Sequence, residues 1–110
     1  MNLPNGEQAL VDIAKLSDYC LNPEHPRGRH KARVFRAALD MGPEDAHLLR
    51  DALLHAARSM GVIQGERDAY GQRFVLDFDL EGRSGSVQIR STWIVRTGED
   101  IPRLTSCFVL

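Results

Sequence analysis

The chain carries two cysteines, Cys20 and Cys107, two lysines, Lys15 and Lys31, and one tryptophan, Trp93. The cysteines lie far apart and match no zinc or redox spacing, so buried reduced thiols are expected. A disulfide would require an oxidising compartment, for which nothing else in the sequence argues. No apolar run approaches the roughly 20 residues of a membrane helix. The start, MNLPNGEQAL, lacks the basic residues and apolar stretch of a secretory signal, so a soluble, cytoplasmic protein with no membrane contact is expected. GxSxG, P-loop, dinucleotide and zinc-cluster patterns are all missing. The net charge of −1 supplies no global field for nucleic acid.

What remains is an ordinary globular composition, 43% hydrophobic and 26% charged over 110 residues. That length fits a single domain, 1–110, with one core. Residues 1–8 are polar and read as a loose arm. Ala9, Val11 and Ile13 alternate with Asp12, which permits a short strand. Residues 15–21 then read as one or two helical turns. Two prolines and a glycine in 22–29, NPEHPRGR, make a loop. A helix is expected over about 30–40, with Phe35, Ala38 and Leu39 inward and Arg33 and Arg36 outside. Gly42-Pro43 opens a second helix, and Glu44 and Asp45 favour its positive end. Ala46, Leu49, Leu53, Ala56, Ala57 and Met60 repeat near 3.6, with Gly61 as the expected cap.

Beyond Gly71 the period becomes two. Phe74, Leu76, Phe78 and Leu80 alternate with Arg73, Val75, Asp77 and Asp79. Residues 82–85 turn. Val87, Ile89, Trp93 and Val95 mark a second strand, with Gln88, Arg90 and Thr92 on its other face. After a turn at 97–102, Leu104, Ser106 and Phe108 alternate with Arg103, Thr105 and Cys107. The fold class is α+β: two to three N-terminal helices on one face of a three- to four-stranded antiparallel sheet, with a meander over 72–110.

Four groups could carry chemistry. His30 and Lys31 stand where the loop becomes a helix, whose free N–H groups favour anions. A histidine can move protons and a lysine can hold a phosphate oxygen; an idle helix-start histidine is the bland alternative. Arg73, Arg90, Arg103 and Thr105 share the sheet face away from the helices, where they could grip a phosphate backbone or form an ordinary polar surface. Pairing of Arg90 with Asp77 or Asp79 would remove that grip. The basic block 25–39 adds Arg27, Arg29 and Arg33 with no acid among them. His47, Asp51 and His55 share a helical stripe, but His47 and His55 are ~12 Å apart along it, so a solvated face is expected rather than a metal site. Tyr70 could reach the sheet end; Trp93 reads as packing.

The run Tyr19–Phe35, YCLNPEHPRGRHKARVF, with Ser91-Thr92-Trp93-Ile94-Val95 and Pro102-Arg103-Leu104-Thr105-Ser106, resembles a family of small bacterial proteins of unknown function. That family's pattern is a "YLLNP-H-P-G-KA-F" block, a long helix, then "W" and "PRLVT-Y" strands. The resemblance spans about residues 3–110. Similar modules occur as stand-alone proteins and at the C-termini of polymorphic toxins. Their element order is similar to the barnase/EndoU/colicin D/RelE-like ribonucleases.

The resemblance implies a metal-independent, toxin-type endoribonuclease that leaves a 2′,3′-cyclic phosphate and uses no cofactor. His30, Lys31, Arg90 and Thr105 are its implied catalytic set, and Arg27, Arg29, Arg33, Arg73 and Arg103 would bind substrate. The implied partners are RNA, tRNA included, and a small acidic immunity protein or antitoxin over residues 25–36. The alternative is a non-catalytic module that binds a neighbouring small protein.

Overall fold

A computed structural model describes residues 1–82 and 85–110. Three helical segments precede four strands: α1 (Ile13–Lys15), α2 (Arg29–Leu39), α3 (Ala46–Ser59), β1 (Ile63–Asp68), β2 (Gly71–Gly82), β3 (Gly85–Arg96) and β4 (Arg103–Val109). α1 runs on into a wider helical turn, Leu16–Cys20. The sheet is antiparallel throughout, in the order β1-β2-β3-β4. This is the expected α+β architecture. The expected turn at 82–85 involves residues 83 and 84, which lie outside the described residues.

The core forms where the helices' apolar stripes meet one face of the sheet. Leu16, Cys20, Phe35, Leu49 and Leu53 pack with Leu76, Ile89, Trp93, Leu104 and Cys107 in one buried cluster. Burial of a side chain such as Leu or Phe contributes about 1.5–3 kcal/mol, so this cluster is what fixes the helices to the sheet. Trp93 is packing, as its alternation indicated. Its indole donates to the Ser91 hydroxyl at 2.9 Å, and Ser91 donates to the Leu76 carbonyl at 2.7 Å. The buried polar side chains of Trp93 and Ser91 are thus satisfied.

Four local expectations need correction. The arm 1–8 is not loose: Leu3 is buried, and the Met1 carbonyl accepts from the Val62 N–H at 2.7 Å. Residues 9–13 form no strand, only an isolated parallel bridge from Leu10 to Arg103. The fourth strand is β1 instead, which lines the sheet's edge and is exposed at every position. α3 ends at Met60 in an extended conformation, and Gly61 bridges to Asn2 rather than capping the helix.

The fourth correction changes the face of a strand. Pairing slips between Thr92 and Trp93: Thr92 faces Ser106, while Trp93 faces Leu104. Thr105 is therefore an extra residue, a β-bulge. Leu104 and Cys107 point into the core, whereas Ser106 and Phe108 stay half-exposed opposite Thr92 and Arg90.

Candidate functional site

The loop before α2 is held by its own polar side chains. The Asn22 side chain accepts from the Glu24 N–H at 3.0 Å and donates to the Asp18 carbonyl at 3.2 Å. His25 Nδ1 accepts from the N–H groups of Arg27 and Gly28, each at 3.0 Å. The remaining imidazole hydrogen is therefore on Nε2. Gly28 is required for the fit, because a Cβ there would overlap the Tyr19 carbonyl. The His25 ring stands edge-on to Tyr19, 4.7 Å between centres.

Lys31 leaves the first turn of α2 and reaches β4. Its ammonium donates to the Ser106 hydroxyl at 3.0 Å. It lies 5.2 Å from the Tyr19 ring centre and 5.4 Å from that of Phe108. Two aromatic faces and a hydroxyl hold the charge in place. Among the described residues no carboxylate pairs with it.

The two cysteines lie directly beneath. Both are free and buried. The Cys107 thiol hydrogen-bonds the Cys20 sulfur, which brings Cys20 down to about 6 against the opposing effect of burial; nearby Lys31 adds to the lowering. Being the donor, and buried, raises Cys107 well above a normal thiol.

Beside Tyr19 opens a cavity of ≈ 420 Å³, lined by Asp12, Lys15, Asp18, Tyr19, His25 and Thr105. A second hollow of ≈ 400 Å³ shares Asp12, Lys15 and Thr105 and extends to Arg96 and Arg103. Together they make a groove along the start of β4. Thr105 is placed in it by the bulge. Its hydroxyl meets that of Thr92 at 2.6 Å and donates to the Thr92 carbonyl at 3.0 Å.

Of the implied catalytic set, the structure brings Lys31 and Thr105 to this corner. His30 is exposed and lines a separate apolar hollow with Lys31, Val34, Phe108 and Val109. Arg90 is committed elsewhere: Nε and a terminal amine each donate to Asp77 at 2.9 Å. This bidentate pair holds the Asp77 carboxyl below its usual range. It is the pairing that removes Arg90 as a free phosphate grip. Arg73 pairs with Asp68, and Arg103 with Glu99, each at 3.1 Å. Arg27, Arg29 and Arg33 are exposed without a carboxylate partner among the described residues.

Sequence reasoning passed over Tyr19 and His25. The signal was present: the histidine of the resembling block falls on His25, not His30. His47, Asp51 and His55 are exposed along α3, and among the described residues no three His, Cys, Asp or Glu side chains gather to hold a metal. Among those residues no helix is long and apolar enough to cross a membrane.

No curated protein matches the chain. The fold matches a chain in a contact-dependent growth inhibition toxin–immunity protein complex from Klebsiella pneumoniae 342, with a TM-score of 0.70. The match covers 91% of this chain and 98% of that one at 17% identity, so what is shared is the fold. The family model for a domain of unknown function, DUF6883, matches residues 2–110, and the chain belongs to that family.

Proposed function

We propose that the protein is a toxin-type module that cleaves RNA without a metal, at the corner between α2 and β4. One observation carries this reading: Lys31, an ammonium without a carboxylate partner among the described residues, stands over Tyr19 and bonds Ser106 of β4, beside a groove whose walls carry Asp12, Lys15, Asp18 and His25. The fold shared with a toxin–immunity complex supports it. The reading does not lean on Arg90.

In this mechanism an RNA phosphate lies against Lys31, with the Nε2–H of His25 donating to its oxygens and Thr105, whose hydrogen goes to the Thr92 carbonyl, lining the cavity beside it. The 2′-hydroxyl attacks the adjacent phosphorus and passes its proton to Asp18, an exposed carboxylate on the same cavity. Asp12 is less suited, because it caps the Ala14 N–H. The bond to the 5′ oxygen breaks, and the protonated imidazole of His30 gives that oxygen its proton. The products are a 2′,3′-cyclic phosphate and a 5′-hydroxyl. Lys31 offsets the extra negative charge of the transition state. His25 is a positioning residue, since its Nδ1 is occupied by two backbone donors.

The test is cleavage of total RNA and a tRNA pool in EDTA by the wild type, Lys31→Ala and His30→Ala. Cleavage by the wild type alone, with cyclic phosphate ends, is expected. Equal cleavage by all three overturns the site. No cleavage by folded protein overturns the activity and favours the second reading, a module that binds an acidic neighbouring protein such as an immunity protein or antitoxin. The observation on that side is the neutralisation of Arg73, Arg90 and Arg103 by carboxylates.

A further inference from the structure

α2 has a second functional face. At about 100° per residue, Arg33 lies roughly 160° around the helix from Lys31. Arg29 and Arg33 are one turn apart on that far side. Beside them is a cavity of ≈ 220 Å³ with apolar walls from Leu21, Pro23, Ala32, Ala37 and Met41, and Arg33 and Arg36 at its rim. Arg36 is occupied by Asp40 at 3.3 Å and Glu44 at 3.1 Å. Arg29 and Arg33 are exposed and have no carboxylate partner among the described residues.

We propose that this face is a docking exosite for an acidic segment of another protein, whose single aliphatic side chain fills the cavity while its carboxylates meet Arg29 and Arg33. Charge selects an anionic partner. The cavity wall selects a protein, because an aliphatic side chain fills it, whereas RNA carries no aliphatic side chain and finds no aromatic ring there on which to stack a base. Binding here leaves the Lys31 groove open, so the partner works beside the site without plugging it. The Glu44–Arg36 pair stands at the cavity's rim and would repel a partner whose acids lie in the wrong register. The proposal rests on the acidic-partner reading given above, to which it adds the site and the aliphatic anchor, and it stands whether or not the opposite face cleaves RNA.

The test uses the full chain, isotope-labelled, and a synthetic heptapeptide Asp-Glu-Asp-Leu-Glu-Glu-Asp, followed by amide shifts. The expected shifts centre on residues 21–23 and 32–41. Replacing the peptide's leucine by alanine should weaken binding at least about tenfold, from lost apolar burial. Arg33→Ala should weaken it about fivefold. Ala37→Glu should abolish binding while leaving the β2 and β3 amides and RNA cleavage unchanged. Equal binding of the alanine peptide overturns the proposal. So do shifts centred on Lys31 and Ser106, or a short oligouridylate that moves the same amides more strongly than the peptide.

Discussion

Two sets of arginines share this chain, and the structure treats them in opposite ways. On the sheet and its turns, Arg73, Arg90 and Arg103 each meet a carboxylate at 2.9–3.1 Å. On the loop and α2, Arg27, Arg29 and Arg33 meet none among the described residues. The strand pattern explains the difference. Antiparallel register sets Asp77 directly across from Arg90, and cross-strand neighbours of opposite charge pair. The segment 25–39 contains no acid; Arg36, near its end, reaches Asp40 and Glu44 beyond it, while Arg27, Arg29 and Arg33 lie farther back. A count of charges therefore overstates the anion-binding power of the sheet and understates that of the helix.

Breaking that comparison starts with the largest effect. Lys31→Ala should lower RNA cleavage by roughly 10²–10³-fold, the loss typical of one charge-stabilising donor, while Arg90→Ala changes it little. Comparable losses in a cleavage assay would return Arg90 to the site. Next, heparin binding should discriminate the two sets. Arg27→Ala, Arg29→Ala and Arg33→Ala should each reduce the salt slope by about one, and Arg73→Ala should leave it unchanged.

A smaller effect is acid dependence. Asp77 titrates below its usual range when folded, through its hydrogen bonds to Arg90. Its contribution to stability is thus present above the unfolded value of about 3.9 and lost as pH falls through the folded one. Urea midpoints should show wild type above Asp77→Asn at neutral pH, with the gap closing below about pH 4. An unchanged gap in acid would deny the pairing. Smallest of all, Arg36→Ala removes two exposed ion pairs and should leave the midpoint unmoved within error.

The parts legible in the sequence are those with a period. Leu49, Leu53, Ala56 and Ala57 announce α3, and Phe74, Leu76 and Phe78 announce β2, because each repeat matches a buried face. β1 was illegible for the converse reason: Ile63–Asp68 is exposed on both sides and shows no alternation. The tail of β4 misled, since one extra residue moves Cys107 inward and Phe108 outward. Of the candidate site, Lys31 and Thr105 could be picked by residue type. His25 is marked in the sequence by the resembling block and not by residue type; its role comes from a loop conformation that aims two backbone N–H groups at its ring. The pairing of Arg90 was conceivable from alternation, but register decided it.

Thr105 is, in the arithmetic of the sheet, one residue too many. Without it, Leu104 would still oppose Trp93, Ser106 would still oppose Thr92, and Cys107 would still oppose Ser91 in an uninterrupted ladder. The core contributes nothing to its retention. Deleting Thr105 should yield a chain that folds as well as the original or better, with its groove left without that hydroxyl. Folding and function make separable demands here, and the separation falls at a single peptide unit.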